Sequence, residues 1–321
     1  MDMRKCEKEK GLSVIVPFLN EAEGIGEYCR TLDQYAKDIK FCLELIFVDD
    51  GSDDNTADII KGYSFKNVSR VKVVSLAKNF GSHAAIRAGV LHASYDVCTW
   101  MGSDLQEPVE FLEISYEKIR EGHDAVYVEK NSIKISAFSR CFSKIYSALM
   151  RKYAVSNYAS GGISNIVFNW KLMDYLNKNI ESNSSVALQL MDAGFKSCVI
   201  SLDFNERFAG KSKWTLAKKI KLFIDSFVAF SFMPIRLVSL TGGLIFLLGV
   251  AIGAFTLINK FTSPSVPLGY STLASIMALG FGITNISLGI IAEYLWRAYD
   301  AARDRPAFII SEIEDVSTDK E

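Results

Sequence analysis

The sequence predicts an α/β domain on a parallel or mixed sheet, followed by a membrane-embedded C-terminal part. From Leu12 to Val128 short β-branched runs alternate with helical patterns, and two long runs without a charged residue lie near the C-terminus. Strand-helix alternation implies parallel strands, right-handed crossovers and helices on both faces of the sheet. Strands are expected at Ser13–Pro17, Glu44–Asp49, Val71–Leu76, Asp96–Met101 and Asp124–Val128, and helices at Glu21–Lys37, Thr56–Gly62, His83–Ala93 and Pro108–Glu121.

The C-terminal runs are Leu237 to Ile258, 22 residues, and Phe261 to Ala292, 32 residues. A bilayer span needs ~20 apolar residues at ~1.5 Å of rise each. Pro264, Pro267 and Gly269 mark a loop, so spans are expected at about 236–258 and 270–292; a pair of buried core helices is the alternative. Arg207, Lys211, Lys213, Lys218, Lys219, Lys221 and Arg236 precede the first span, Arg297, Arg303 and Arg305 follow the second, and the loop between them has only Lys260. The positive-inside rule then puts both termini in the cytoplasm. Leu216, Ile220, Phe223, Phe227 and Phe230 predict an interfacial helix over 215–235. A basic-aromatic stretch at 134–153 reads either the same way or as an ordinary amphipathic helix. The expected organisation is a cytoplasmic catalytic domain (1–214), the interfacial helix, two spans within 236–296 and a cytoplasmic tail (297–321).

Composition narrows the function. Apolar residues make up 49% of the chain against 23% charged, and mean hydropathy is +0.15, so disorder is excluded. Thirty-six basic against 37 acidic residues leave a net charge of −1, which gives no global field for nucleic acid. The six cysteines contain no C-x-x-C pair and the three histidines are scattered, which points to neither a disulfide framework nor a zinc site. The charged stretch Met1 to Gly11 is not a secretory signal.

In open α/β sheets ligands bind beyond the carboxyl ends of the strands. Four such ends carry polar groups: Asn20 and Glu21, Asp49 and Asp50, Lys78 to Gly81, and Asp104 with Gln106. Adjacent acids at a buried strand end exceed what a helix cap needs, and one of them is suited to accept hydrogen bonds from a base or ribose. Neither G-x-G-x-x-G after the first strand nor G-x-x-x-x-G-K-[ST] is present, which removes most support for dinucleotide oxidoreductases and P-loop enzymes.

Val16-Pro17-Phe18-Leu19-Asn20-Glu21, Val48-Asp49-Asp50-Gly51-Ser52, Lys78-Asn79-Phe80-Gly81, Asp104-Leu105-Gln106-Glu107-Pro108, Arg207-Phe208-Ala209-Gly210-Lys211-Ser212-Lys213-Trp214 and Glu293-Tyr294-Leu295 occur in this order. The set resembles the family-2 inverting glycosyltransferases that load a sugar onto a polyprenyl phosphate, the bactoprenol glucosyltransferase and dolichol-phosphate-mannose synthase group, over nearly the whole chain. The resemblance implies a GT-A fold, a nucleotide-sugar donor such as a UDP-sugar, Mg²⁺ or Mn²⁺, an undecaprenyl or other polyprenyl phosphate acceptor, and an inner-membrane location. It implies that Pro17, Leu19, Asn20, Glu21, Asp49, Asp50, Lys78 and Ser103 line the donor pocket, that Asp104 and Gln106 hold the metal on the diphosphate, and that Arg207 and Lys213 clamp the acceptor phosphate beside membrane lipid. His83 is a weaker candidate, and Asp104 has an alternative as a helix N-cap.

Two departures stand out. Relatives carry Asp-x-Asp where this chain has Gly102-Ser103-Asp104, and they carry an Asp and an Arg within the segment that here reads Gly161-Gly162-Ile163-Ser164-Asn165. They leave open a non-catalytic relative that binds nucleotide sugar or lipid phosphate. A processive polysaccharide synthase would want Q-x-x-R-W and more spans, both missing from the sequence, and a transporter subunit would want ionisable groups inside the spans. Glycine-bearing spans allow a homo-oligomer.

Overall fold

The computed structural model describes residues 9–130, 163–181, 184–204, 270–303 and 305–316, with isolated positions between 238 and 251. The chain divides into two compact units, Met1–Ser226 with Pro306–Glu321, and Phe227–Arg305.

The first unit is built on one eight-stranded sheet. Its strands are β1 (Glu9–Phe18), β2 (Leu43–Asp49), β3 (Arg70–Leu76), β4 (Tyr95–Trp100), β5 (Ala125–Lys130), β6 (Ile163–Asn169), β7 (Ser197–Leu202) and β8 (Ile310–Val316). The order is β7-β5-β6-β4-β1-β2-β3-β8. β1 pairs in parallel with β2 and β4, and β2 with β3. Leu12, Val14, Ile15 and Val16 of β1 are fully buried, as a central strand covered on both faces requires. Each such side chain contributes about 1.5–3 kcal/mol.

The helices are α1 (Ile25–Ala36), α2 (Thr56–Lys61), α3 (Ser82–His92), α4 (Phe111–Arg120), α5 (Trp170–Lys178) and α6 (Val186–Asp192). α1 buries Ile25, Tyr28, Cys29, Leu32 and Ala36, a stripe at three- and four-residue spacing. It begins four residues later than expected because Gly24 and Ile25 both donate backbone N–H groups to the Glu21 carbonyl, closing a turn first.

The sheet is mixed, with antiparallel strands on both sides of the parallel core. β6 lies between β4 and β5 and runs antiparallel to both, and β7 then adds parallel to β5. β8 pairs antiparallel with β3 from Val71↔Val316 to Leu76↔Ile310. The stretch expected to be only a tail thus supplies an edge strand. Its Glu312 and Glu314 reach Lys61 at 3.3 and 2.6 Å.

Between β1, β2 and β3, away from the carboxyl ends, Glu44 is fully buried and accepts from Ser13 Oγ (2.5 Å), Ser94 N (2.8 Å) and Ser94 Oγ (2.7 Å), with Lys72 Nζ at 2.9 Å. Burial alone raises its pKa, but these donors outweigh that and the carboxyl titrates below 4.5.

In the second unit α7 (Tyr270–Ala302) runs 33 residues. Leu273, Phe281, Ile286, Leu288, Ile291 and Leu295 on it are more than half exposed. Trp296 and Tyr299 pack their rings at 5.9 Å, and the Arg303 guanidinium lies 5.2 Å over Tyr299. Among the described residues no helix is long and apolar enough to cross a membrane. The expected spans are therefore not confirmed; most of 236–258 and several α7 side chains lie outside the described residues.

Candidate active site at the strand ends

The candidate site is assembled by loops that leave the carboxyl ends of four neighbouring strands, β4, β1, β2 and β3. After β1 the chain turns sharply at Asn20, whose φ of 53° is left-handed. That conformation costs a non-glycine residue about 1–2 kcal/mol, and asparagine bears it best. Asn20 donates its N–H to Ser52 Oγ (3.0 Å) and accepts from Asp53 N through Oδ1 (2.9 Å), while Glu21 N donates to Thr56 Oγ1 (3.0 Å). The β1 and β2 loops are thereby stitched together. Pro17 and Leu19 flank this turn and are half-buried.

The two adjacent acids after β2 hold different loops. Asp49 Oδ1 accepts from Ser52 N at 2.8 Å and shapes its own turn. Asp50 reaches across to the loop after β3, accepting from Phe80 N at 2.7 Å and from Gly81 N at 2.9 Å to Oδ2 and 3.2 Å to Oδ1. Asp50 is 5% exposed. Burial raises its pKa most, the Phe80 and Gly81 amides oppose that, and the Asp49 charge adds to the rise. Between them Gly51 adopts φ 76°, and a Cβ there would stand 2.8 Å from both Asn79 N and the Lys78 carbonyl carbon. Only glycine lets the two loops touch. Lys78 is exposed on the neighbouring loop, with its ammonium 5.1 Å over the Phe80 ring.

The loop after β4 carries the remaining candidates. Met101 N donates to Ile15 O, and Leu105 is the second non-glycine residue at φ 53° among the described residues. Two left-handed residues at neighbouring strand ends are strain of the kind that collects at ligand sites. Asp104 Oδ1 accepts from Gln106 N at 3.3 Å. It does not cap α4, whose N-cap is Glu110. Ser103, Asp104 and Gln106 are half-buried.

Glu107 Oε2 accepts from Gly102 N at 3.3 Å. Its pKa is pushed up to about 7, chiefly by burial and then by the Asp104 charge, against weaker lowering by hydrogen bonds that include Asn165. The sequence motif holds Glu107 without implying a role for it; its signal is its place three residues after Asp104.

His83 lies at the start of α3, two residues after Gly81. Burial, with Arg87 beside it, lowers its pKa to about 4, so it is neutral at physiological pH. Arg87 is held by Gln189 Oε1 (2.7 Å) and Ser184 Oγ (2.9 Å) as part of the packing between α3 and the 184–189 segment. Arg207, Lys213, the interfacial stretch 215–235, the 134–153 stretch and Gly161-Gly162 lie outside the described residues. No cluster of three or more His, Cys, Asp or Glu side chains able to hold a metal occurs among the described residues.

The model of glycosyl transferase family 2 matches residues 13–166, from β1 through β6. An uncharacterized glycosyltransferase of Bacillus subtilis (strain 168) is 32% identical over 303 residues, covering 93% of this chain and 92% of its own. The undecaprenyl-phosphate 4-deoxy-4-formamido-L-arabinose transferase of Klebsiella pneumoniae (strain 342) is 27% identical over 306 residues, covering 95% and 94%. Among solved structures, a mannosyltransferase from Pyrobaculum calidifontis in complex with GDP-Man and Mn²⁺ is similar at 15% identity and a TM-score of 0.43, covering 91% of this chain and 88% of that one. With a near full-length relative above 30% identity and a family match that ends on the strand bearing Asn165, the chain belongs to glycosyl transferase family 2.

Proposed function

We propose that the protein transfers a sugar from a nucleoside-diphosphate sugar, a UDP-sugar being the leading donor, to undecaprenyl or another polyprenyl phosphate at the cytoplasmic face of the inner membrane, with inversion, on a GT-A architecture. The observation that carries the reading is the convergence of Asn20, Asp49, Lys78 and Asp104 on adjacent strand ends, two of whose loops hold left-handed residues. The near full-length relative named as an undecaprenyl-phosphate transferase supports the acceptor class.

In this reading a phosphate oxygen of the acceptor attacks the anomeric carbon while the bond to the diphosphate breaks, and the nucleoside diphosphate leaves with the electron pair. A phosphate monoester has its second pKa near ~6, so the nucleophile is already largely dianionic and no strong base is needed. The chain supplies position and charge. Asp49 faces the base or ribose, Lys78 the donor phosphates, and Pro17, Leu19, Glu21 and Ser103 frame the pocket. The carboxylate and amide oxygens of Asp104 and Gln106 are hard ligands of the type Mg²⁺ and Mn²⁺ take, and Mg²⁺ is commonly held by one or two carboxylates with substrate phosphates. Such an ion, when bound, neutralises charge on the leaving diphosphate. Arg207 and Lys213 hold the acceptor phosphate.

Membrane attachment rests on the charge-free run from 270 to 292, the exposed apolar side chains of α7 and the Trp296-Tyr299-Arg303 group, which has the makeup of an interfacial belt. β8 lies in the same sheet as β1, so a chain that crosses the bilayer after residue 214 must return before 310, as two spans do. Glycines along both runs allow helix packing between copies.

The test is a donor screen with full-length protein in detergent, undecaprenyl phosphate and Mg²⁺ or Mn²⁺, reading lipid-linked sugar and nucleoside diphosphate release. Release that requires the lipid phosphate supports the proposal. Gly102 favours one second reading, a relative that binds nucleotide sugar without turnover, and donor binding with no lipid-linked product for any donor would establish that reading instead.

A further inference from the structure

We infer that Glu107 replaces the carboxylate missing at Gly102, so that Asp104 and Glu107 together form the acidic pair facing the divalent cation. The inference rests on the metal-dependent transfer proposed above and assigns a residue that reading leaves without a role.

The argument starts from the space at Gly102. A Cβ built there would lie 3.2 Å from Asp104 Oδ1 and 3.3 Å from Glu107 Oε2. Both carboxylates therefore crowd the place where a side chain at 102 would begin. Gly102 also anchors Glu107, donating its N–H to Oε2. A shorter residue at 107 could not reach the Gly102 N–H.

Asn165, on β6, is 2% exposed and reaches the Glu107 carboxyl, which it helps to hold charged. A buried polar atom near the pair lacks a partner. Tyr28, on α1, is fully buried with an unpartnered hydroxyl, within electrostatic reach of both carboxylates. A buried polar atom left open is uncommon, and within reach of two acids it is consistent with a place where an ion and its waters complete the pairing. Carboxylate oxygens of this kind suit Mg²⁺ or Mn²⁺, with the remaining positions taken by substrate phosphate and water.

The test uses Mn²⁺ as the probe, titrated into detergent-purified full-length protein with UDP present and followed by loss of the free-ion electron paramagnetic resonance signal. Glu107→Gln should weaken Mn²⁺ binding about 10- to 100-fold, the loss typical when a residue supporting a metal site is removed. Gly102→Asp in the Glu107→Gln background should restore it, because the neutral amide no longer repels a carboxylate at position 102 and the neighbouring side-chain ends need shift by only a few tenths of an ångström. Glu107→Gln binding Mn²⁺ as wild type does, or wild type failing to bind it, overturns the inference. So does a double variant that is folded by its thermal unfolding midpoint yet shows no recovery. Mn²⁺ binding that depends on Glu107 in a protein that forms no lipid-linked sugar would leave this assignment standing and remove the proposed reaction. Lipid-linked sugar formed with unchanged Mn²⁺ affinity in Glu107→Gln would do the reverse.

Discussion

Replacing Asp50 by alanine tests whether this acid is a strut between loops. Its carboxylate accepts from two backbone N–H groups, Phe80 at 2.7 Å and Gly81 at 2.9 Å. Hydrogen bonds to a charged group are worth about 1.5–3 kcal/mol each. Phe80 and Gly81 are half-buried, so water re-pairs part of what alanine removes, and the buried charge of Asp50 already costs something, as its raised pKa indicates. The net loss works out at about 2–3 kcal/mol, or about 4–12 °C in melting temperature for a domain of this size. Asp50→Asn keeps one acceptor oxygen and should lose about half as much. Thermal unfolding gives the first readout, and amide hydrogen exchange over residues 78–82 the second. Faster exchange confined to that loop, with weaker nucleotide binding through a displaced Lys78, is the expected result. Asp50→Ala that melts with wild type and leaves the Phe80 and Gly81 amides equally protected would refute the strut.

Gly51→Ala places a Cβ 2.8 Å from Asn79 N at φ 76°, so it should cost roughly 1–3 kcal/mol and lower donor affinity by pushing the Lys78 loop away, measured by unfolding and UDP titration. Glu44→Gln leaves Lys72 without its buried partner and should destabilise by about 3 kcal/mol at neutral pH. Because the folded Glu44 pKa is depressed, its contribution is complete above about 4.5 and is lost as pH falls through the lower folded value; the variant's stability should therefore converge on wild type in acid, and a pH-independent gap would count against the assignment. Arg207→Ala should cut sugar transfer while leaving nucleotide binding intact, and an equal loss of both would remove the acceptor clamp. Reporters at the N-terminus and after residue 316 should be protected from the outside of intact cells while one near Pro264 is labelled; opposite sides for the two termini would contradict the return implied by β8.

The four parallel strands were legible because each is a short apolar run ending at polar turn residues, and a strand buried on both faces must look that way. β6 and β8 were not. Ile163–Asn169 reads as a strand only once β4 and β5 offer edges on both sides, and Ile310–Val316 carries Glu312, Glu314 and Asp315 because its side chains sit on an open edge, where charge is tolerated. The site shows the same division. Strand-end logic located Asn20, Asp49, Asp50, Lys78 and Asp104 correctly at one end of the sheet, but the partner of Asp50 is 30 residues away on another loop, so nothing local distinguishes it from Asp49. Glu107 was hidden for a similar reason: its proximity to Gly102 depends on the left-handed turn at Leu105.

The acids of the candidate site can be sorted by what donates to them. Asp50 has both oxygens on backbone N–H groups of another loop, whereas Asp49, Asp104 and Glu107 accept from N–H groups of their own loops, at Ser52, Gln106 and Gly102. Backbone donors fix a carboxylate in place without taking up its charge. That suits a reaction whose nucleophile arrives as a dianion. In the proposed reaction the acids need not take a proton from it, which leaves them to hold loops in register and to face a cation. A general base would instead need a carboxylate facing the attacking oxygen, and in this fold it would add repulsion against an incoming phosphate. In the reaction proposed above a phosphate acceptor needs no such base, whereas an alcohol would require deprotonation.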